Sequence, residues 1–229
     1  MIIAVIPARG GSKRIPLKNI KYFHGKPIIA YSIEAAINSG CFDKVVVSTD
    51  DLEIAEIAEK YGAVVPYLRP LDISDDYTGT NVVVKHAIEW FFEQGTIVEY
   101  ACCIYATAPF LQFKYIQEGF NNICTKSFDF SFSVTTFAFP VQRSLRIKDI
   151  GVEPIWPDFI LRRSQDLEEA YHDAGQFYWG TSKAFINEYE LFSSGSIPVV
   201  IPRYLTQDID TQEDWTRAEI MFKVLKNFE

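Results

Sequence analysis

The sequence predicts a three-layer α/β/α domain on a mostly parallel sheet. Three observations lead there. Short, β-branched apolar runs alternate with amphipathic segments of helix length. The runs hold few polar positions, as strands buried on both faces do. Of the 229 residues, 48% are hydrophobic and 15% aromatic, enough for a substantial core.

The elements follow in order. Ile2 to Ile6 is a continuous apolar run bounded by Pro7 and reads as a buried parallel strand. Pro27 to Ser39 has apolar residues at helical spacing and stops at Gly40. Lys44 to Thr49 is the next strand, and Asp50 or Asp51 caps a helix that ends at Gly62. Ala63 to Leu68 reads as a strand that Pro66 confines to an edge or cuts short. Thr80 caps a helix from Asn81 to about Gln94, and YACCIYATAP is a buried strand ending in a loop. Ser131 to about Arg146 alternates like strands, whereas Gly151 to Leu161, with its prolines and aromatics, reads as irregular. Gly175 to Gly180 is strand-like, Ser182 to Glu190 a short helix, and IPVVIPRY a strand. Thr211 to Asn227 closes the chain as a helix, with Thr211 as cap and Asp214 in a capping box. Residues 1–229 read as one domain. The 139–174 stretch is an excursion whose aromatics, among them Phe139 and Trp156, suit packing on a partner subunit.

A net charge of −8 argues against extended nucleic acid as a partner. Cys41, Cys102, Cys103 and Cys124 lack metal-ligand spacing and read as reduced core thiols, as expected in the cytosol. The opening apolar stretch is too short for a signal peptide, and no run is long enough to span a membrane.

Against that acidic background, the stretch Ala8 to Asn19, ARGGSKRIPLKN, is basic. It contains neither the Walker pattern nor G-x-G-x-x-G. Gly10 and Gly11 let the backbone approach a ligand and turn N–H groups inward. Arg9 offers a planar fork for phosphate oxygens, Lys13 and Lys18 compact charges, and Pro16 stiffness. This combination fits a nucleoside triphosphate. The loop, Asp50, Tyr105 to Pro109 and Gln207 to Asp210 all follow predicted strands. One crevice outside the carboxyl ends of the sheet can therefore collect them.

The loop resembles the signature of nucleotidyltransferases that make CMP-activated acidic sugars, written A-R-x-x-S-K-x-x-P-x-K-N in CMP-sialic acid synthetases. The resemblance continues through VVVSTDD (Val45 to Asp51), Leu68-Arg69-Pro70 and DIDTQEDW (Asp208 to Trp215), and so runs along the chain in order. It implies a Rossmann-like fold of the nucleotide-diphospho-sugar transferase type, with CTP as substrate. Arg9, Lys13 and Lys18 would hold the triphosphate, with Ala8, Gly10, Gly11, Ser12 and Asn19 completing the loop. The base and ribose would lie near Ser48, Asp50 and Arg69, although Asp50 equally suits a helix cap and Arg69 a salt bridge. Lys18, with Arg9 and Asp210, would be catalytic, Lys18 stabilising charge at the α-phosphate. Asp208 and Asp210 match the family's metal-binding D-x-D. Alternation sets both carboxylates on one side, where substrate phosphates complete a site for Mg²⁺. No protein base for the attacking hydroxyl stands out.

Departures from the sialic acid pattern bear on the sugar. Tyr105 replaces a glutamine within YATAP, and His172 replaces an arginine before the N-G of the sialic enzymes. YATAPF and RSQDLEEAYHDAGQFYWG look like pseudaminic acid cytidylyltransferases. That implies a nine-carbon sugar acid whose carboxylate pairs with Arg163 or its neighbour Arg162. Tyr105, Thr107, Gln165, His172 and Gln176 would line the sugar site, while His172, Gln165 and Gln176 also have purely structural readings. The alternatives are another nonulosonic acid, sialic or legionaminic, or a catalytically silent nucleotide-binding module on the same fold. The resemblance further implies a cytoplasmic homodimer serving glycosylation of flagellin or surface polysaccharide.

Overall fold

The opening apolar run becomes β1, Ile2–Pro7, the strand about which the other layers are arranged. The computed structural model describes residues 1–226. A small hairpin, β2 (Tyr22–Phe23) and β3 (Lys26–Pro27), leads into α1, Ile28–Ser39, which ends at Gly40 with φ 65°. Then come β4 (Lys44–Ser48), α2 (Leu52–Lys60), α3 (Thr80–Glu93), β5 (Tyr100–Ile104), α4 (Phe113–Lys126) and β6 (Phe130–Thr136). A second hairpin, β7 (Leu145–Lys148) and β8 (Gly151–Pro154), precedes β9 (Tyr171–Thr181) and α5 (Ser182–Ile186). The chain ends with β10 (Ser196–Val200) and α6 (Gln212–Lys226).

Six strands form the main sheet in the order β10-β6-β9-β5-β1-β4. β1 pairs in parallel with β4 on one side and β5 on the other, and β10 with β6. Only β9 is reversed, antiparallel to both β5 and β6. Alternation divides the core into two layers. Ala4, Ile6, Cys102 and Trp179 pack with Ile29, Ile54, Ile116 and Trp215 of α1, α2, α4 and α6. Ile3, Val5, Cys103 and Tyr178 pack with Val84, Ile88 and Phe185 of α3 and α5 on the other face. The three-layer expectation therefore holds.

Four local expectations change. Ala63 to Leu68 forms no strand: it touches the sheet only through bridges from Val64 to Val46 and Leu68 to Thr49, and Pro66, lacking a donor, lies between them. Gly79, in extended conformation, occupies the cap position of α3, so Thr80 is the first helical residue and caps nothing. Within the stretch read as irregular, Gly151–Pro154 pairs with Leu145–Lys148 as the β7–β8 hairpin. Cys124 is exposed on α4 and is no core thiol, though all four cysteines are free.

The expected cap of α6 is present: Asp214 N–H donates to Thr211 Oγ1 (3.2 Å), and Thr211 N–H to Asp214 Oδ2 (2.8 Å). Its expected end at Asn227 lies outside the described residues. α4 has no counterpart in the sequence reading. Gly119, a poor helix former, sits mid-helix because a Cβ there would lie 2.8 Å from both Phe177 and Trp179. Trp179 is fully buried there and donates its indole N–H to Ile116 O (3.0 Å).

A Cβ at Gly180 would fall 2.5 Å from Phe185 Cε2 and 2.8 Å from Phe130 Cδ1. Gly180→Ala is therefore expected to lower stability by about 1–3 kcal/mol through overpacking, read as a lower urea midpoint at unchanged slope.

Candidate active site

β1 is where the strand order reverses: the chain continues to β4 on one side and later fills β5 on the other. Side chains beyond its carboxyl end therefore enter an open crevice. The loop after β1 begins in sheet pairing, with Ala8 N–H donating to Ser48 O (3.0 Å). Gly10 N–H donates to Asp50 Oδ1 (3.0 Å), and Asn19 Nδ2 to Arg9 O (2.9 Å), which ties the two ends of the loop together. Ile15, only 2% exposed, pins the middle to the core. Leu17, at φ 50°, turns the chain into a 3-10 turn at Lys18–Ile20. Asp51 caps α2, accepting from Glu53 N–H (2.8 Å) and Ile54 N–H (3.1 Å), so Asp50 is free to face the loop.

The loop and the segment after Arg69 enclose a cavity of about 240 Å³. Arg9, Lys13, Arg14, Lys18 and Arg69 line it, against the carboxylates Asp75 and Asp76, so positive charge dominates. Ser12, Asn19, Tyr105 and Thr107 share the wall. Arg69 is almost buried; its Nε donates to Ser74 Oγ (3.0 Å), and its Nη2 is 4.0 Å from Asp50 Oδ1. Burial pulls its pKa down, and Asp50 opposes this. Ala8, Gly10, Gly11, Ser48 and Asp50 build the site without lining the cavity. Ser48 is wholly buried at the carboxyl end of β4.

Two carboxylates hold the cations of the basic loop, and the sequence reading missed one of them. Asp76 pairs with Arg9 Nη2 (2.5 Å) and Lys13 Nζ (2.5 Å); these two cations hold its carboxyl below the usual range. The available signal was Asp75, whose Oδ1 accepts from Tyr77 and Thr78 N–H in an Asx turn that presents Asp76. Asp210 Oδ1 lies 2.9 Å from Arg14 Nη2 and 3.3 Å from Lys18 Nζ, and Lys18 also donates to Ile209 O (2.6 Å). Ile209 is buried in the core at 0% exposure, while Asp208 beside it is exposed and Asp210 partly exposed. Desolvation, with Asp210 adding like-charge repulsion, raises the Asp208 carboxyl above its ordinary range. A divalent cation relieves such repulsion, and a hard oxygen pair suits Mg²⁺, so these residues fit the ion. Among the described residues no group of three or more His, Cys, Asp or Glu is placed to hold a metal, so phosphate oxygens would have to complete the shell.

The expected sugar residues divide. Tyr105 and Thr107 line the cavity. Arg163 does not: its Nε and Nη2 donate to Asp166 (2.7 and 3.0 Å) on the exposed excursion. Gln165 lines a separate hollow with Phe139 and Glu169. His172 is exposed, its Nδ1 2.8 Å from Asp173 O and its ring against Phe137. Gln176 is buried, and its side-chain amide donates to Leu205 O (2.5 Å).

A cytidylyltransferase family model matches residues 3–151. The chain belongs to the cytidylyltransferase family. This cytidylyltransferase is 46% identical over 223 residues to the pseudaminic acid cytidylyltransferase of Campylobacter jejuni, covering 97% of this chain and 96% of that one. It is 30% identical to the CMP-N,N'-diacetyllegionaminic acid synthase of Legionella pneumophila, over 97% of each chain. Its fold matches a solved CMP:2-keto-3-deoxy-manno-octonic acid synthetase complexed with CTP, with TM-score 0.70, 15% identity, and 97% and 98% coverage. The chain is thus a nucleotidyltransferase, with a basic loop lining the cavity beyond the carboxyl end of β1.

A Cβ at Gly10 would lie 2.5 Å from Asp51 Oδ2, whereas one at Gly11 meets nothing within 4 Å. Gly10→Ala is expected to disturb the α2 cap at a cost of about 1 kcal/mol and to raise the KM for nucleotide. Gly11→Ala is expected to leave the melting temperature unchanged, and calorimetric melting of the pair checks both.

Proposed function

We propose that the enzyme transfers CMP from CTP to the anomeric hydroxyl of pseudaminic acid, releasing pyrophosphate. The observation that carries this reading is Lys18. Its Nζ reaches both Ile209 O (2.6 Å) and Asp210 Oδ1 (3.3 Å), so it joins the phosphate loop to the D-x-D turn. Charge is thereby concentrated where an α-phosphate must react. The 46% identity to a relative with this named activity, against 30% for the legionaminic acid synthase, supports the choice of sugar.

Arg9 and Lys13 hold the β- and γ-phosphates, exchanging Asp76 for phosphate oxygens, and Lys18 faces the α-phosphate. Ser12 and the loop N–H groups assist, and Arg69, with Asp50 behind it, fixes the nucleoside end. Asp208 and Asp210 are the residues that would hold Mg²⁺. Bound there, the ion offsets the repulsion between an incoming hydroxyl and a triphosphate. Tyr105 and Thr107 face the sugar. Arg163 is paired with Asp166 on the excursion, outside the cavity, and would have to give up that partner and move to meet the sugar carboxylate.

A second copy of the chain covers the excursion, residues 139–174. Phe139, Ile147, Ile150 and Leu161 are each at least 84% exposed there, an apolar surface of the kind that marks an interface. Sedimentation at micromolar concentration tests for the dimer. The four free thiols suit a reducing, cytoplasmic setting.

The test of the activity is pyrophosphate release from CTP with Mg²⁺, offering pseudaminic and N-acetylneuraminic acid in parallel. Release with the second alone overturns the substrate; release with neither overturns the activity. Lys18→Ala is expected to lower kcat roughly a hundredfold, as loss of one transition-state donor does. Asp210→Asn is expected to move the Mg²⁺ titration to higher concentration, and an unchanged titration places the metal elsewhere.

A further inference from the structure

Strand β9 carries an irregularity that the proposed reaction does not explain. Phe132 of β6 pairs with Tyr178 and Val134 with Asp173, so two residues on β6 span five on β9. The extra residues form a bulge, with Gly175 at φ 62°. The bulge folds Asp173 back over Tyr178. Tyr178 Oη donates to Asp173 Oδ2 (2.6 Å), and Gly175 N–H donates to Asp173 Oδ1 (2.9 Å), so both carboxylate oxygens are occupied. Ser133 Oγ holds the bulge from below, accepting from Gln176 N–H (3.3 Å) and Phe177 N–H (3.2 Å).

All of this closes on Tyr105. Its ring packs against that of Tyr178 with centroids 5.3 Å apart, and Gly175 lies close enough that a Cβ there would be 3.9 Å from Tyr105 Cε2. Its N–H donates to Gln176 O (2.9 Å), and its carbonyl accepts from Ser32 Oγ (2.7 Å). Tyr105 is thus held on one side by the bulge, and it lines the cavity on the other. Burial, then Tyr105 and Asp173, push the Tyr178 hydroxyl far above its ordinary pKa, so it remains a donor. Bulges beside binding sites re-aim side chains, and a cavity-facing side chain that this one braces is Tyr105.

We infer that Asp173 is a positioning residue for sugar selection: through Tyr178 it fixes the ring of Tyr105 against the sugar acid, without touching the nucleotide. The inference rests on the proposed assignment of Tyr105 to the sugar end.

The test uses Asp173→Asn, Tyr178→Phe and the double variant, each in full-length enzyme. Tyr178→Phe keeps the ring and its packing, so it serves if Asp173→Asn fails to fold. The KM for the sugar acid is expected to rise about tenfold in each single variant, the scale of a lost hydrogen bond to a charged group, while the KM for CTP stays constant. The double variant is expected to match Tyr178→Phe, because without the phenol hydroxyl residue 173 has no bond to position 178 left to lose. Equal rises in both KM values, or a change in kcat alone, overturn the inference and leave Asp173 merely structural. Wild-type enzyme is run alongside. If it turns over a different nine-carbon acid, only the proposed substrate fails, and the KM split is read with that acid. If it turns over none, the proposed activity and this inference fall together.

Discussion

Hydrogen bonding of β1 on both sides is the constraint on which the rest depends. A strand paired in parallel with β4 and β5 has no free edge, and its ends must leave at the rims of the sheet. Parallel partners also align carboxyl ends, so the turns after β1, β4 and β5 arrive at one rim. The basic loop, Asp50 and Tyr105 meet there by backbone geometry alone. What the rim does not supply is a closed loop. The Asn19 side chain on Arg9 O and the buried Ile15 do that locally.

The same rim solves an electrostatic problem. Several cations within a small cavity repel one another, and an acidic protein has carboxylates to spare. Asp76 and Asp210 each hold two of those cations, from points far apart in the chain. These pairs are partly exposed, so each is weak and can be exchanged for a more highly charged anion at low cost. Binding and release then become exchanges of partner rather than the creation of bare charge.

Sequence legibility followed locality. The basic loop was readable as a unit because its parts are consecutive and each glycine or cation has its own chemical reason. The strand before it was readable from branched apolar residues, and α1 from its stop at Gly40. Asp76 and Asp210 act on residues 63 and 192 positions distant, as in Lys13 with Asp76 and Lys18 with Asp210, and no local pattern reports such a meeting. The β7–β8 hairpin was missed because its residues are largely exposed and lack the alternation that burial imposes. Gln176 shows the same limit from another side. The resemblance left it either at the sugar site or in a structural place, and only the bulge of β9 shows its side-chain amide donating to a backbone carbonyl. The orientation of single residues within a bulge is set by the neighbouring strand, which a linear reading does not see.

The reversal of β9 has a consequence for how this architecture varies. β6 ends at Thr136 and β9 starts at Tyr171, and these two residues are paired neighbours. Everything from 137 to 170 therefore hangs from two adjacent anchor points on the active-site rim. Lengthening such a segment adds little closure entropy, roughly 0.6 kcal/mol per doubling. The excursion is thus an exchangeable cartridge: it can be rebuilt, extended or replaced while the strand pairs and the loop after β1 keep their register. A fold so arranged can change one insert and leave the rim of its sheet untouched.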